Sequence, residues 1–249
     1  MLAAYLLSRP ACHAMAISWQ TTHYPDLAAL QAALPAVPDW VRGVTIHHTW
    51  KPTEADWRGA RTMEGLKRFY AAKGWSAGPH LFVAPDGIWG GTPLGVKGIH
   101  AGVCNATSIG IEIVGNFDAE PWSNPLAARL YPLFVTLLQW LRADETNLRG
   151  HRECLNNKSC PGAAINMPGV RANVTPQLFT KRFQVDVPMA RLRARPTTQS
   201  ARIGQQPHGS KLPAHPVRGQ ALEGDDRWAR VKLPTGIIGY IYAPLGVWL

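Results

Sequence analysis

Three parts of the chain combine residue types that bind metals and transfer protons. They are the Ile-His-His-Thr stretch at 46–49, the Ser-Ile-Gly-Ile-Glu stretch at 108–112, and the Gly-His-Arg-Glu stretch at 150–153, which Lys-Ser-Cys-Pro-Gly follows at 158–162. Imidazole nitrogens and thiolates are ligands that Zn²⁺ prefers, and a carboxylate can accept a proton from water. The pattern therefore indicates a candidate metal site with an acid–base residue beside it.

His47, His151 and Cys160 would supply three protein ligands, the number that a catalytic zinc keeps while its fourth position stays open. Gly or Pro turn residues border these positions. On residue types alone, polar histidines at the surface remain an alternative, because His and Cys more than a hundred residues apart form a weak signal. A structural zinc site usually uses four ligands in close Cys/His pairs, and the sequence has no such pattern.

The elements that must position these residues begin with two short strands. Residues 41–47 read as a buried strand that ends at His47, and residues 108–114 read as another. A charged Glu112 in an otherwise apolar strand is costly to bury without a task or a partner. This favours a chemical role for Glu112 over the alternative, an edge-strand carboxylate that faces water.

Helical periodicity appears in three places. Thr53 is a candidate N-cap, with Asp56 three residues on, for a helix that stops at Gly74. Leucines over 126–141 mark one face of a long helix, which Pro132 should kink or delay. A third helix is predicted to open at Thr175 and to extend to Phe183.

The pattern changes after about residue 184, where short β-type runs alternate with Pro and Gly. We therefore predict a separate, small, all-β barrel over 184–249, a catalytic α/β domain over 19–183 and a loose tail over 1–18. The fold class expected for the catalytic part is α/β, with a mixed central sheet flanked by helices. Nine Lys/Arg against four Asp/Glu over 183–249 give this part a net charge of +5.

Composition narrows the possible partners. The chain has 249 residues, 46% of them apolar, and a net charge of +10, which suits a nucleic acid, an anionic membrane or an anionic cell wall as partner. The absence of a long Lys/Arg run disfavours nucleic acid. The four cysteines lack the spacing of a dense disulfide framework, so we expect free thiols or a metal thiolate. We find no convincing signal peptide or transmembrane helix in the sequence.

The three motifs resemble those of the zinc-dependent N-acetylmuramoyl-L-alanine amidases, in the superfamily of type 2 amidases and peptidoglycan recognition proteins. The resemblance covers about residues 19–182. It implies that His47, His151 and Cys160 bind one Zn²⁺, with Cys160 favoured over Cys154 because of its Pro-Gly context. It also implies that Lys158 faces the scissile carbonyl and stabilises the oxyanion.

The same resemblance assigns the remaining roles. Some family members carry a Tyr in a Gly-Tyr-His-Phe segment, and here Pro79 stands in its place. Members that lack this Tyr carry a Glu in Ser-Ile-Gly-Ile-Glu, which implies that Glu112 is the general base. His100 resembles a residue of the family's substrate groove, with a purely structural role as the alternative. His48 is expected either to support the metal ligands without binding the ion or to be structural.

Residues 184–249 resemble a bacterial SH3-type domain. The similarity rests on an opening strand at 191–196, on Trp-Ala-Arg-Val at 228–231 and on Gly-Tyr-Ile at 239–241. In wall hydrolases such modules bind the wall and raise the local concentration of the enzyme. A spacer or stabilising barrel without a ligand of its own is the alternative.

Together these observations predict a monomeric hydrolase that cleaves the amide bond between N-acetylmuramic acid and L-alanine in bacterial peptidoglycan. A second, basic module fits a phage or prophage endolysin, made in the cytoplasm and released to the wall by a holin-type route. The alternative is a recognition protein that binds peptidoglycan without cutting it. Neither nucleic acid binding nor membrane insertion is expected.

Overall fold

The computed structural model describes residues 16–121 and 124–249, so most of the tail predicted over 1–18 lies outside the described residues. The strands are β1 Thr22–Tyr24, β2 Gly43–His48, β3 Leu81–Ala84, β4 Gly87–Gly90, β5 Ser108–Ile113, β6 Leu148–Gly150, β7 Lys181–Val185, β8 Met189–Arg193, β9 Arg202–Pro207, β10 Lys211–Leu222, β11 Asp225–Lys232, β12 Ile238–Tyr242 and β13 Gly246–Trp248. The α-helices are α1 Leu27–Ala33, α2 Ala60–Ala72, α3 Asn124–Leu141, α4 His151–Cys154 and α5 Met167–Leu178. Short 3₁₀ turns span Gly102–Ala106, Glu145–Asn147 and Ala243–Leu245.

The first sheet is mixed and has the strand order β1-β4-β3-β5-β2-β6. Strand β5 runs parallel to both β3 and β2, and β2 runs parallel to β6. Strand β4 pairs antiparallel with β3 and with β1. Helices cover both faces, which confirms the predicted α/β class with a mixed sheet flanked by helices.

Side-chain alternation sorts the residues of this sheet into two faces. Ile109, Ile111 and Ile113 of β5 belong to the large apolar core that also contains α3 and α5. Glu112 therefore lies on the opposite face, as does its register partner His47. Helix α2 covers that second face through a smaller apolar cluster.

Helix α2 shows that the predicted N-cap was wrong. The helix begins at Ala60, after Gly59 with a φ of 56°, rather than at Thr53. Thr53 and Asp56 instead close a turn, in which the Asp56 carboxylate accepts hydrogen bonds from the Thr53 amide at 3.0 Å and hydroxyl at 2.8 Å. The same Thr-x-x-Asp pattern serves a turn and a helix cap, so the sequence motif did not distinguish them.

The third predicted helix was misplaced. Helix α5 starts at Met167, with Asn166 as its N-cap, and has Pro176 near its end. Phe183 belongs to β7 and not to a helix. The long helix α3 agrees with the leucine pattern and continues through Pro132, which is exposed to solvent. Among the described residues, no helix has the length and apolar character needed to cross a membrane.

The second sheet has seven strands in the order β13-β7-β10-β11-β12-β8-β9, and each pairing is antiparallel. It begins at Lys181, three residues before the boundary predicted at 184. Its core is separate from that of the first sheet and includes Phe183, Leu192, Val231 and Ile241. The division of the chain into domains stays a prediction.

Buried polar contacts join the second sheet to the segment that follows α3. The Tyr240 hydroxyl donates to the Asp144 carboxylate at 2.6 Å, and His215 Nε2 donates to the Ala143 carbonyl at 2.8 Å. Arg230 pairs with Glu145 and lies over the Phe179 ring. Buried polar groups of this kind are costly to leave without partners, so they hold the two sheets in one arrangement.

A disulfide joins Cys104 in the Gly102–Ala106 turn to Cys154 at the end of α4. The expectation of free thiols was therefore wrong for these two residues. Connectivity across 50 residues depends on which loops meet in the fold, and cysteine spacing does not disclose it. Cys160 is the one free cysteine in the described part of the chain.

The disulfide gives a stability prediction. Replacing both cysteines, in Cys104→Ser/Cys154→Ser, should lower the free energy of unfolding by roughly 2–4 kcal/mol, because the cross-link restricts the unfolded chain. Urea unfolding of the metal-free proteins measures this difference. A reductant should bring the wild type to the stability of the variant and leave the variant unchanged. Equal stability of the oxidised wild type and the variant would contradict the bridge.

Candidate metal centre

The carboxyl ends of three neighbouring parallel strands position the candidate site. His47 near the end of β2 is level with Glu112 on β5, and Ile46 is level with Gly150, the last residue of β6. His151 follows immediately and opens α4. Parallel strands end at the same edge of a sheet, so residues far apart in sequence meet here.

His47, His151 and Cys160 come together as a group of metal-ligand type, with one donor atom from each lying within 4.8 Å of the others. His47 Nδ1 is 3.6 Å from Cys160 Sγ. A tetrahedral zinc with ordinary Zn–N and Zn–S bonds separates such a pair by about 3.6 Å. His151 Nε2 is buried and has no hydrogen-bond partner in the described structure. An orphaned nitrogen beside a thiol and a second imidazole fits a zinc site.

A hydrogen-bond chain fixes which nitrogen His47 presents. His100 Nε2 lies 3.1 Å from the Ser108 carbonyl, which can only accept, so this nitrogen carries the proton. His100 Nδ1 must then accept from His47 Nε2, at 3.1 Å. His47 Nδ1 is therefore left with a lone pair on the side of Cys160. Gly110 is required beneath this chain, because a Cβ there would come within 2.6 Å of the His100 ring.

Burial and neighbouring groups keep the His47 and His100 rings neutral. Burial and the neighbouring imidazoles hold the pKa of His47 well below its usual value, and burial lowers the pKa of His100 to about 3. Burial also raises the pKa of the Cys160 thiol to about 12, and the Glu112 charge adds to that rise. A cation at the centre would favour the thiolate, since metal binding releases protons from its ligands.

Arg152 and Asp118 hold the loop that carries Cys160. The Arg152 guanidinium donates to the carbonyls of Ser159 at 3.1 Å and Gly162 at 2.8 Å, and the Arg152 amide donates to the Cys160 carbonyl at 2.8 Å. Asp118 accepts from the Ser159 hydroxyl at 2.8 Å. The arginine of the Gly-His-Arg-Glu stretch thus positions the third candidate ligand.

Glu112 lies in the same cleft and is 8% exposed. Its Oε2 is buried and has no hydrogen-bond partner in the described structure. Burial raises the pKa of Glu112 to about 8, and the charge of Lys73 opposes that rise. A carboxyl group with this pKa can gain and lose a proton near neutral pH, as a general acid–base residue must.

The cleft has a volume of about 360 Å³ and aromatic walls. Trp50 and Phe69 on its rim are 58% and 52% exposed, and Tyr70 and Trp75 stack behind them with ring centroids 5.4 Å apart. Lys73 also lines the cleft, with Nζ 4.1 Å from the Phe69 ring centroid. Aromatic faces of this kind can contact the apolar faces of sugar rings.

The remaining predicted residues occupy different positions. Lys158 is exposed on the loop before Cys160 and is not among the residues that line the cleft. Burial lowers the pKa of His151, and the charge of Lys158 adds to that shift. His100 lines the cleft, but both of its ring nitrogens are engaged within the protein. The roles predicted for Lys158 and for His100 as a substrate contact stay predictions.

His48 and Cys154 are two further residues in or next to the motifs. His48 accepts a hydrogen bond from the Phe117 amide at Nδ1 and also lines the cleft, so its role stays a prediction. Cys154 is bonded to Cys104 and is not available as a ligand. Sequence reasoning missed Lys73, which directly follows the last residue of α2 and belongs to none of the three motifs.

Solved structures similar to this chain include an N-acetylmuramoyl-L-alanine amidase and two PGRP proteins. The amidase LysC from Clostridium intestinale URNW is 24% identical with a TM-score of 0.47, over 54% of this chain and 85% of that chain. Drosophila PGRP-LB is 21% identical with a TM-score of 0.44, over 66% and 86%. Bumblebee PGRP-SA is 21% identical with a TM-score of 0.46, over 52% and 80%. A search of curated proteins finds no match.

A family model supplies the assignment that these structural likenesses do not. The model described as N-acetylmuramoyl-L-alanine amidase matches residues 37–163, just over half of the chain. That range contains His47, Glu112, His151 and Cys160. This chain therefore belongs to the N-acetylmuramoyl-L-alanine amidase family.

Proposed function

We propose that this protein is a zinc-dependent peptidoglycan hydrolase that cleaves the amide bond between the lactyl group of N-acetylmuramic acid and L-alanine. The observation that carries the proposal is the convergence of His47, His151 and Cys160 beside an open cleft. Three protein ligands leave one position free, as a catalytic zinc requires. When bound, zinc supplies Lewis acidity, which polarises a carbonyl group and makes water more acidic.

The chain's own residues carry the remaining steps. Glu112, in the cleft beside the three candidate ligands, accepts a proton from the attacking water and delivers it to the departing amine of L-alanine. His100 holds His47 with its Nδ1 lone pair toward the metal position. Trp50 and Phe69 provide aromatic faces for the glycan on the rim of the cleft.

Charge stabilisation of the oxyanion requires a cation near the scissile carbonyl. We assign this role to Lys158, on the loop beside Cys160. Lys51 and Lys73 both line the cleft, and Lys73, whose charge acts on Glu112, is the comparison residue for this assignment.

We further propose that the second sheet forms an SH3-like barrel that binds the wall, and that the protein acts as a phage or prophage endolysin, a monomer released to the wall by a holin-type route. Its antiparallel pairing throughout and its positive charge support this. The second candidate is a recognition protein that binds peptidoglycan without cutting it. The unpartnered Glu112 carboxyl beside the candidate ligands favours the hydrolase.

The reaction is tested with purified peptidoglycan incubated with the protein, with and without a chelator. Mass spectrometry should detect free stem peptides that begin at L-alanine, and chelator should abolish their release until zinc is restored. Metal-dependent binding to peptidoglycan without new peptides would support the recognition protein instead.

Removing the thiolate tests the metal site. Cys160→Ala should lose bound zinc and activity together, because two imidazoles alone hold the ion weakly. Cys160→Asp is the matched control, since its carboxylate keeps a third ligand and should retain part of the zinc. Zinc content by elemental analysis measures both. A Cys160→Ala protein with full zinc content would exclude this ligand set.

Removing the acid–base group separates chemistry from metal binding. Glu112→Gln should keep its zinc and lose roughly 10²- to 10⁴-fold in kcat, because general acid–base catalysis contributes about that much. Thermal melting shows whether the variant remains folded. An active Glu112→Gln protein would require another base.

Paired lysine variants locate the oxyanion cation. Lys158→Ala should lower kcat by roughly 10²- to 10³-fold with little change in KM, as loss of a charge-stabilising group does. Lys73→Ala removes the same charge from the wall of the cleft and should act mainly on KM. The reverse pattern, with the kcat loss confined to Lys73→Ala, would transfer the role to Lys73.

A further inference from the structure

A second cavity lies between the two sheets and is separate from the metal centre. It has a volume of about 560 Å³. Its wall includes four arginines from four segments of the chain, namely Arg42, Arg142, Arg195 and Arg218. Arg42 directly precedes β2 and Arg142 directly follows α3, whereas Arg195 lies in the loop between β8 and β9 and Arg218 lies in β10. The cavity therefore exists only where the two sheets meet.

The positive charge of this cavity is incompletely balanced. Asp226 is shared between Arg142, at 3.2 Å, and Arg218, at 2.9 Å. Arg42 donates to the backbone carbonyls of Asp39 and Val41, which carry no net charge. In the part of the chain that the structure describes, the Arg195 guanidinium contacts no acceptor.

Among the described residues that line the cavity, Asp144 is the one carboxylate, and it already accepts hydrogen bonds. It accepts from the Tyr240 hydroxyl at 2.6 Å and from the Thr146 amide at 3.0 Å. Counting it together with Asp226, the four arginines leave a surplus of two positive charges. Like charges held close together repel each other, and an anion between them would relieve this cost.

Hydrogen bonds join the segments that surround the cavity. The Arg218 amide donates to the Arg142 carbonyl at 2.8 Å, and His215 donates to Ala143. Arg142 has a φ of 51°, the left-handed conformation that Gly usually supplies just after a helix. A side chain at such a position costs of order 1 kcal/mol, which points to a use for the arginine. Arg142 and Arg218, which Asp226 already holds in place, lose little freedom when a ligand binds.

We propose that this cavity binds the phosphodiester groups of an anionic, polyol-phosphate polymer of the cell wall. Guanidinium groups match phosphoryl oxygens with paired, charge-assisted hydrogen bonds. The surplus of two charges suits one or two phosphodiesters, and the volume admits a polymer segment rather than a lone ion. The choice of a wall polymer rests on the proposed function.

The experiment compares two double variants that remove the same charge. Arg42→Ala/Arg195→Ala takes two guanidinium groups from the cavity and leaves no carboxylate without its partner. Arg191→Ala/Lys232→Ala removes two exposed cations of the second sheet that do not line the cavity. Calorimetry at fixed ionic strength measures the binding of poly(glycerol phosphate) to the full-length protein.

The cavity variant should lose roughly 10- to 100-fold in affinity, the value of one or two hydrogen bonds to a charged group, and the control should change little. Equal losses in both variants would show diffuse attraction and overturn the proposal. So would equally tight binding of poly(glutamate) or of a DNA oligonucleotide, because neither is a polyol phosphate.

Hydrolysis of a small, soluble muropeptide separates this proposal from the proposed function. Both variants should cleave it at the wild-type rate, because none of the four residues lines the metal cleft. If the wild type cleaves no muropeptide, the hydrolase assignment fails, while the difference in polymer binding between the variants still decides the cavity.

Discussion

The site depends on the parallel register of β2 between β5 and β6. This register puts His47 level with Glu112 and brings His151 in directly after β6, so two candidate ligands and a carboxyl group share one edge. Alternation along the strands then decides which side chains reach the cleft. The isoleucines of β5 pack into the main core, and that packing holds Glu112 on the opposite face, where it is buried without a hydrogen-bond partner.

The residues around the candidate ligands determine how those ligands are oriented. Ser108 fixes the protonation of His100, which in turn fixes that of His47, so three residues act as one unit. Arg152 follows the candidate ligand His151 in sequence. Its side chain nevertheless holds the loop that carries a different candidate ligand, Cys160. Metal-ligand histidines commonly donate their second nitrogen to a neighbouring acceptor, which orients the ring. The short motifs of the sequence therefore encode support as well as coordination.

The hydrophobic pattern of the sequence was sufficient to predict the type of a single strand or helix. The correct element types were predicted from the apolar runs around β2 and β5 and from the leucine face of α3. Burial of a strand or of one helix face leaves a characteristic spacing of apolar residues in the sequence. Patterns that serve two structures misled. Thr53 and Asp56 form a turn, although a helix cap would use the same residues.

Features that depend on distant contacts were not predictable from the sequence. The Cys104–Cys154 bridge requires the Gly102–Ala106 turn to meet α4, which no spacing rule discloses. Lys73 reaches the cleft only because α2 packs across the face that carries His47. His47, His151 and Cys160 were identified by motif, but their approach to within 4.8 Å is a property of the folded chain.

The buried contacts between Tyr240 and Asp144 and between His215 and Ala143 also fix the distance between the second sheet and the cleft. Two units on a flexible tether can sample many separations, and the tether length governs how often both engage. Here the offset between the second sheet and the cleft is constant. If the second sheet anchors to the wall as proposed, only bonds at that offset and orientation come into range of the cleft. The repeat spacing of an insoluble polymer then becomes a basis for selection.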